Sequence, residues 1–345
     1  MVSAVTSSRG TVGAGTPAVE AVSAAPAGER ISAGRKRRLG AAALAGGLLL
    51  SAVSTATAQA APARSAAATA TPAPTVSAKG AYLLDRTTGK ALFAKDAGTS
   101  RQMASTTKVM TATVVLGRPK LDLKRLVTVK QTYRDYVTQV GGSTADLRTG
   151  DKLTVGQLLY ALMLPSGCDA AYALADTYGT GSTTAARVKS FIGMMNTKAR
   201  ELGLKNTHYD SFDGISSKGA NYTTPRDSAV LAGKALGYGT LRTVVGSAKT
   251  VQKATNGRTY TWYNTNRLLG SYQGAIGVKT GTGTAAGPCL VFAAVRGGHT
   301  VIGVLLNDAS RYDDAVKMLN YAFHVPTAKT APMRLRVLPA GAQRD

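Results

Sequence analysis

The stretch that decides the fold is Met103-Ala104-Ser105-Thr106-Thr107-Lys108-Val109-Met110. A serine hydroxyl is a poor nucleophile at neutral pH until a neighbouring group takes its proton. Positions i and i+3 share one face of a helix. A helical reading therefore sets Lys108 beside Ser105. The apolar residues that follow (Val109, Met110, Val114, Val115 and Leu116) suit a helix buried in the middle of a domain. Burial favours the neutral form of a lysine, and that form can act as a base. The rival reading is a solvated serine and lysine on a surface helix. Ser-x-x-Lys alone does not separate the two; partners elsewhere in the chain would.

Outward from this stretch, 81–85 and 91–95 alternate as a hairpin around Arg86-Thr87-Thr88-Gly89. On the other side, a turn at Arg148-Thr149-Gly150-Asp151 precedes Thr154, which reads as the N-cap of a helix reaching about Met163. Pro165-Ser166-Gly167 breaks that helix. Another covers 169–178 and stops at Gly179, and an amphipathic helix over 184–202 stops at Gly203. Thr224-Pro225 opens a further helix, with proline at its first position. Residues 118–246 therefore read as mostly helical.

From about residue 248 the period changes. Residues 249–253 and 258–263 flank Asn256-Gly257, a strong hairpin signal. Strands follow at 275–282, 289–296 and 300–307, then a helix over 312–323. Consecutive hairpins favour an antiparallel sheet. The fold class expected is α/β (α+β): an antiparallel sheet covered by helices, with an all-helical domain inserted at 118–246. The sheet domain would comprise 79–117 and 247–325, with a tail at 326–345.

The basic run Arg35-Lys36-Arg37-Arg38 precedes an apolar segment from Leu39 to Ser54, and then Ala58-Gln59-Ala60. That order is a secretory signal with a small-x-small cleavage site, so 1–60 is expected to be a leader that exports the protein to the cell wall, outside the cytoplasmic membrane. Residues 61–78, rich in Ala, Pro, Ser and Thr, read as a linker. The 345 residues carry a net charge of +24. Residues 1–60 hold six basic and two acidic groups, so about +20 remains on the exported part. Such a surface attracts polyanions. No basic-aromatic module for nucleic acid is visible; anionic wall polymers are the candidate partner of an exported chain, beside the plain reading of a solubility surplus. The three histidines are scattered and the only cysteines are Cys168 and Cys289, so neither a metal site nor another cofactor is expected. Whether the two cysteines pair is left open.

Two further stretches supply partners for Ser105. Ser166-Gly167-Cys168 lies at a helix break, where a side chain can point into a cleft. Lys279-Thr280-Gly281-Thr282 lies on an expected strand, with a cation, two hydroxyls and a glycine that would let a substrate backbone lie close. Each alone is an ordinary turn or strand end. Their order after Ser105 makes coincidence improbable.

Ser-x-x-Lys, then Ser-x-Asn, then Lys-Thr-Gly is the signature of the penicillin-recognising serine acyl-transferases. Over about 76–325 the chain resembles the low-molecular-mass penicillin-binding proteins, the serine D-alanyl-D-alanine carboxypeptidases and transpeptidases. Met195-Asn196, Asn206-Thr207-His208 and Tyr222-Thr223-Thr224-Pro225-Arg226-Asp227 resemble segments of the same enzymes. Ser166-Gly167-Cys168-Asp169-Ala170-Ala171-Tyr172 is especially similar to a small actinomycete-type transpeptidase that also has Cys at the Asn position.

The resemblance implies a five-stranded sheet and a monomer acting on peptidoglycan stem peptides that end in D-Ala-D-Ala. It assigns Ser105 as the acylated nucleophile, Lys108 as its base and Ser166 as a proton relay to the leaving amine. Lys279, Thr280, Gly281 and Thr282 would bind substrate, with Arg311 a further candidate for the terminal carboxylate. The backbone N–H groups of Ser105 and Thr282 would form the oxyanion hole. β-Lactams would acylate Ser105 in the same way.

The departure is Cys168. A thiol accepts and donates hydrogen bonds poorly where an amide does both well. Slow deacylation and a lean towards transfer are expected. No apolar stripe marks a membrane anchor after Phe323. Two other readings remain at this point. A class A β-lactamase would need a deacylating glutamate, and Glu201 is near the right spacing but sits at a helix end capped by Gly203. A non-catalytic wall-binding protein would not need Ser105, Lys108, Ser166 and Lys279.

Overall fold

The computed structural model describes residues 72–325 and 333–343; the expected leader, 1–60, and most of the expected linker, up to residue 71, lie outside them. The central sheet has five antiparallel strands in the order β2-β1-β11-β10-β9. They are β1 (Gly80–Asp85), β2 (Ala91–Lys95), β9 (Ala275–Gly283), β10 (Gly287–Arg296) and β11 (His299–Leu306). Its interior strands are apolar almost throughout because both faces are covered. On β11, Val301 and Leu305 enter one core, while Ile302, Val304 and Leu306 enter the other.

Helix α8 (Arg311–Ala322) covers the first face, packing on β10 and β11. The second face is covered by α6 (Pro225–Ala235) and α7 (Gly239–Gly246), and α1 (Lys108–Leu116) packs on α6 and joins the helical block to this layer. That block also holds α2 (Gln131–Val140), α3 (Val155–Met163), α4 (Cys168–Tyr178) and α5 (Thr184–Glu201). Short strand pairs tie segments distant in sequence: β3 (Arg101–Gln102) with β6 (Tyr222–Thr223), and β4 (Leu126–Thr128) with β5 (Lys152–Thr154).

Local sequence chemistry explains the element ends. Thr154 and Gln157 form a reciprocal capping box at the start of α3, satisfying two otherwise orphaned backbone donors. Thr224 caps α6, with Pro225 at its first turn. The hairpin expected at Asn256-Gly257 is β7 (Lys249–Lys253) with β8 (Thr259–Tyr263). It forms a sheet of its own and bonds to the helical block: Trp262 Nε1 donates to Ala145 O at 2.8 Å and Tyr260 Oη to Asp151 Oδ2 at 2.5 Å.

The ends of the described region are held down. Ser77 donates from Oγ to Asp308 and Asp314 at 2.6 and 2.8 Å, and Val76 and Ala78 are buried. In the tail, Met333 and Leu335 pack on the α8 core, and Leu338 is buried. No helix among the described residues is long and apolar enough to cross a membrane.

Candidate active site

The Ser105 stretch is not one continuous α-helix. Ala104–Thr107 is a 3-10 turn that runs directly into α1 at Lys108. In a 3-10 turn side chains at i and i+3 eclipse, so the junction sets Ser105 and Lys108 together more tightly than an α-helix would. Lys108 Nζ lies 2.9 Å from Ser105 Oγ, 3.4 Å from Cys168 Sγ and 2.9 Å from the carbonyl of Asp213. Lys108 is fully buried, whereas Ser105 is half-buried and lines a cavity of about 530 Å3. The solvated-pair reading of Ser-x-x-Lys is excluded by this burial.

Ser166 precedes α4, at a positive φ of 65° unusual for a residue with a side chain. Its carbonyl accepts from Ser143 Oγ at 2.6 Å, and its own buried Oγ has no hydrogen-bond partner among the described residues. Cys168 opens α4, lines the cavity and accepts from Lys108. Burial pushes its thiol up to about 12, against the lowering pull of the Lys108 charge. It therefore stays protonated and is a poor nucleophile. Cys168 and Cys289 are both buried free thiols.

Strand β9 lies at the sheet edge beside the 3-10 turn, with Thr282 lining the cavity. Lys279 is buried, and its Nζ donates to the carbonyl of Thr280 at 2.9 Å. Thr280 is also buried, its hydroxyl 2.5 Å from that of Thr265. Gly281 packs against the 3-10 turn. A Cβ there would stand 2.9 Å from Ser105 N and 3.0 Å from Thr106 N, so the chain's own backbone already calls for glycine at this position. Arg311 differs from an open cation. It is 8% exposed, and its Nη1 donates to Gly281 O, Thr282 Oγ1 and Cys289 O at 3.0, 3.0 and 3.2 Å.

Sequence reasoning missed the loop Ser211-Phe212-Asp213-Gly214. Lys108 and Thr111, one turn apart on α1, bond the carbonyls of Asp213 and Phe212. The Asp213 carboxylate accepts from Tyr136 Oη at 2.9 Å, and its presence adds to burial in pushing the Tyr136 hydroxyl above its usual range. Gly214 has φ +101°, and a Cβ there would fall 2.0 Å from Ala104 O. The Asp-Gly pair within an aperiodic stretch was the available signal. Asp169 was missed too: it accepts from Ala145 N, Leu147 N and Thr144 Oγ1, fixing the loop that carries Ser143. Glu201 is exposed and paired with Lys198, away from the cavity lining. Among the described residues no group of three or more His, Cys, Asp or Glu is placed to hold a metal ion.

A half-exposed hydroxyl against a buried amine is the equipment of a serine acyl-transfer enzyme. The sequence profile for D-alanyl-D-alanine carboxypeptidases matches residues 66–310, and the chain belongs to that family of serine peptidases. It is 54% identical over 297 residues to a D-alanyl-D-alanine carboxypeptidase of Streptomyces sp. (strain K15), covering 84% of this chain and 99% of that one. The crystal structure of the Streptomyces K15 DD-transpeptidase superposes with a TM-score of 0.72 at 55% identity, covering 74% of this chain and 100% of that one. A D-alanyl-D-alanine carboxypeptidase of Bacillus subtilis is 32% identical over 250 residues; the match covers 71% of this chain and 62% of that longer protein.

Proposed function

We propose that the protein is a serine D-alanyl-D-alanine carboxypeptidase and transpeptidase that works through an acyl-enzyme on Ser105. The observation that carries this is the 2.9 Å contact between the buried Lys108 Nζ and Ser105 Oγ. Lys108 takes the hydroxyl proton as Ser105 Oγ attacks the carbonyl between the two terminal D-alanines. The developing oxyanion is met by the backbone N–H groups of Ser105 and Thr282, on the closely packed 3-10 turn and edge strand. Collapse of the intermediate breaks the C–N bond, and the Ser166 hydroxyl passes a proton to the leaving D-alanine amine. The unpartnered Ser166 Oγ supports that role. The substrate carboxylate is held at Thr282, whose hydroxyl Arg311 orients, with Lys279 supplying charge behind it.

Water or the amine of a second stem peptide then takes the acyl group. Cys168 favours the amine: a thiol 3.4 Å from Lys108 is a weak acceptor, so little orients a hydrolytic water. β-Lactams acylate Ser105 by the same route and leave slowly. The basic-apolar-small order of 35–60 supports export, and the charge of about +20 left on the exported part supports attraction to anionic wall polymers.

Fluorescent penicillin should label the protein at Ser105, and Ser105→Ala should abolish the label. Equal labelling of that variant would end the acyl-enzyme reading. Incubation with a diacyl-D-Ala-D-Ala peptide, with and without an amine acceptor, should give a substantial amide fraction. Hydrolysis undiminished by acceptor would remove the transferase part.

A further inference from the structure

Residues 333–343 return from the sheet side of the molecule to the mouth of the catalytic cavity. Arg336 is the anchor. Its backbone N donates to Ser271 Oγ at 2.7 Å, its Nε to Leu269 O at 3.2 Å, and its Nη2 to Asn264 O and Asn266 O, while Arg267 Nε donates to Arg336 O at 2.9 Å. The anchoring loop adjoins the motif strand, since Thr265 in it meets Thr280. Leu338 is buried beyond the anchor. Seven residues after Arg336, within an extended reach of about 24 Å, Gln343 lines the cavity that Ser105 and Cys168 line. Its Oε1 accepts from the backbone N–H of Thr144 at 3.2 Å.

The donor it takes is built for a carbonyl. Thr144 lies in the loop clamped by Asp169 through Ala145 N, Leu147 N and Thr144 Oγ1, so the direction of its N–H is fixed before anything binds. A glutamine side chain ends in a carboxamide, with the acceptor and donor chemistry of a peptide bond.

We propose that the rim Gly141–Thr144 is a subsite for a backbone carbonyl of the acyl-donor peptide, and that the carboxamide of Gln343 fills it when no substrate is present. The tail is then an intramolecular competitor. The inference rests on the acyl-transfer reading of the cavity and adds to it where the donor's peptide chain lies. A competitor on the same chain raises the apparent KM by the fraction of time it is docked and leaves the chemical step alone. One net hydrogen bond is worth a factor of about 3 to 10 in such an equilibrium.

The test compares the full chain with Gln343→Ala and with a chain ending at Ala340, both of which keep Arg336 and Leu338. Equal melting temperatures establish that the fold is intact. KM and kcat are measured with a diacyl-D-Ala-D-Ala peptide, and labelling is followed with fluorescent penicillin. The expected result is a fall in KM of about 3- to 10-fold in both variants with kcat unchanged. An unchanged or raised KM overturns the inference, as does a change confined to the fraction transferred to an added amine. If penicillin labels every chain but KM does not move, only this inference is lost. If no chain is labelled, the acyl-transfer reading fails and takes the inference with it.

Discussion

Gly281 faces the backbone nitrogen of Ser105 so closely that a Cβ on it would stand 2.9 Å away. Strand β9 and the 3-10 turn that carries Ser105 are thus in main-chain contact, and the spacing between them is set by the absence of one carbon atom. Gly214 repeats the arrangement on the other side, against the carbonyl of Ala104. Gly281→Ala should push the edge strand off the turn. Since displacement of about 1 Å can cost on the order of 100-fold in rate, penicillin acylation of this variant should fall by about 10- to 100-fold. The loss should appear in the acylation rate of folded protein, checked by near-ultraviolet circular dichroism. A variant acylated at the parent rate would show that the contact is dispensable.

Cys168 touches Lys108 and lines the cavity, and its thiol is held protonated by burial. Cys168→Asn places an amide where it can accept from Lys108 and donate outward. A hydrogen bond to a charged group is about twice as strong as a neutral one. Deacylation of the penicilloyl-enzyme should therefore rise, roughly tenfold for one such bond, and the transferred fraction should drop. Recovery of free enzyme after a penicillin pulse measures the first and product ratios the second. Unaltered recovery would place the cause of slow deacylation elsewhere.

What could be read from the sequence was what short-range chemistry determines. The hairpin at Asn256-Gly257 needs only its two turn residues, and the helix starting after Thr154 needs only a threonine and Gln157. The grouping of Ser105, Lys108, Ser166 and Lys279 came from motif order; of these, Lys108 and Ser105 are in hydrogen-bond contact in the fold. The part that could not be read depends on long-range approach. Gly281 looks like any strand glycine until the 3-10 turn is seen against it. Asp213 contributes a backbone carbonyl to Lys108, and any residue type has one. Gln343 carries no local signal at all; it lies seven residues beyond Arg336, whose own donors all meet main-chain or hydroxyl oxygens.

Arg311 bridges Thr282 and the carbonyls of Gly281 and Cys289 with one nitrogen. Its planar fork can serve several acceptors at once, and a lysine ammonium does not reproduce that geometry. Arg311→Lys should leave Thr282 loosely oriented. We expect kcat/KM for a substrate with a free terminal carboxylate to fall about 10- to 100-fold, the range of a lost hydrogen bond to a charged group. The same peptide with its terminus amidated should be affected much less. Equal losses on both substrates would mean that Arg311 supports the strand and not carboxylate recognition.

Asp176 gives a prediction about stability. Its carboxylate, buried on α4, accepts from Lys130 Nζ at 2.6 Å, Tyr133 Oη at 2.6 Å and Arg187 Nε at 2.7 Å. Burial pushes its pKa up, but the bonds from Lys130, Tyr133 and Arg187 outweigh this and hold it below the usual carboxylate range. A carboxyl depressed in the folded state contributes stability that is present above its unfolded pKa of about 4 and is lost as pH falls through the folded value. Asp176→Asn should therefore cost about 2 kcal/mol at pH 7, below the full figure for breaking a buried pair because Lys130 and Arg187 are partly exposed. Towards pH 2 the two proteins should converge, since both then carry a neutral group at this position. Urea unfolding at a series of pH values measures the gap, and a gap as large at pH 3 as at pH 7 would assign the loss to packing and not to charge.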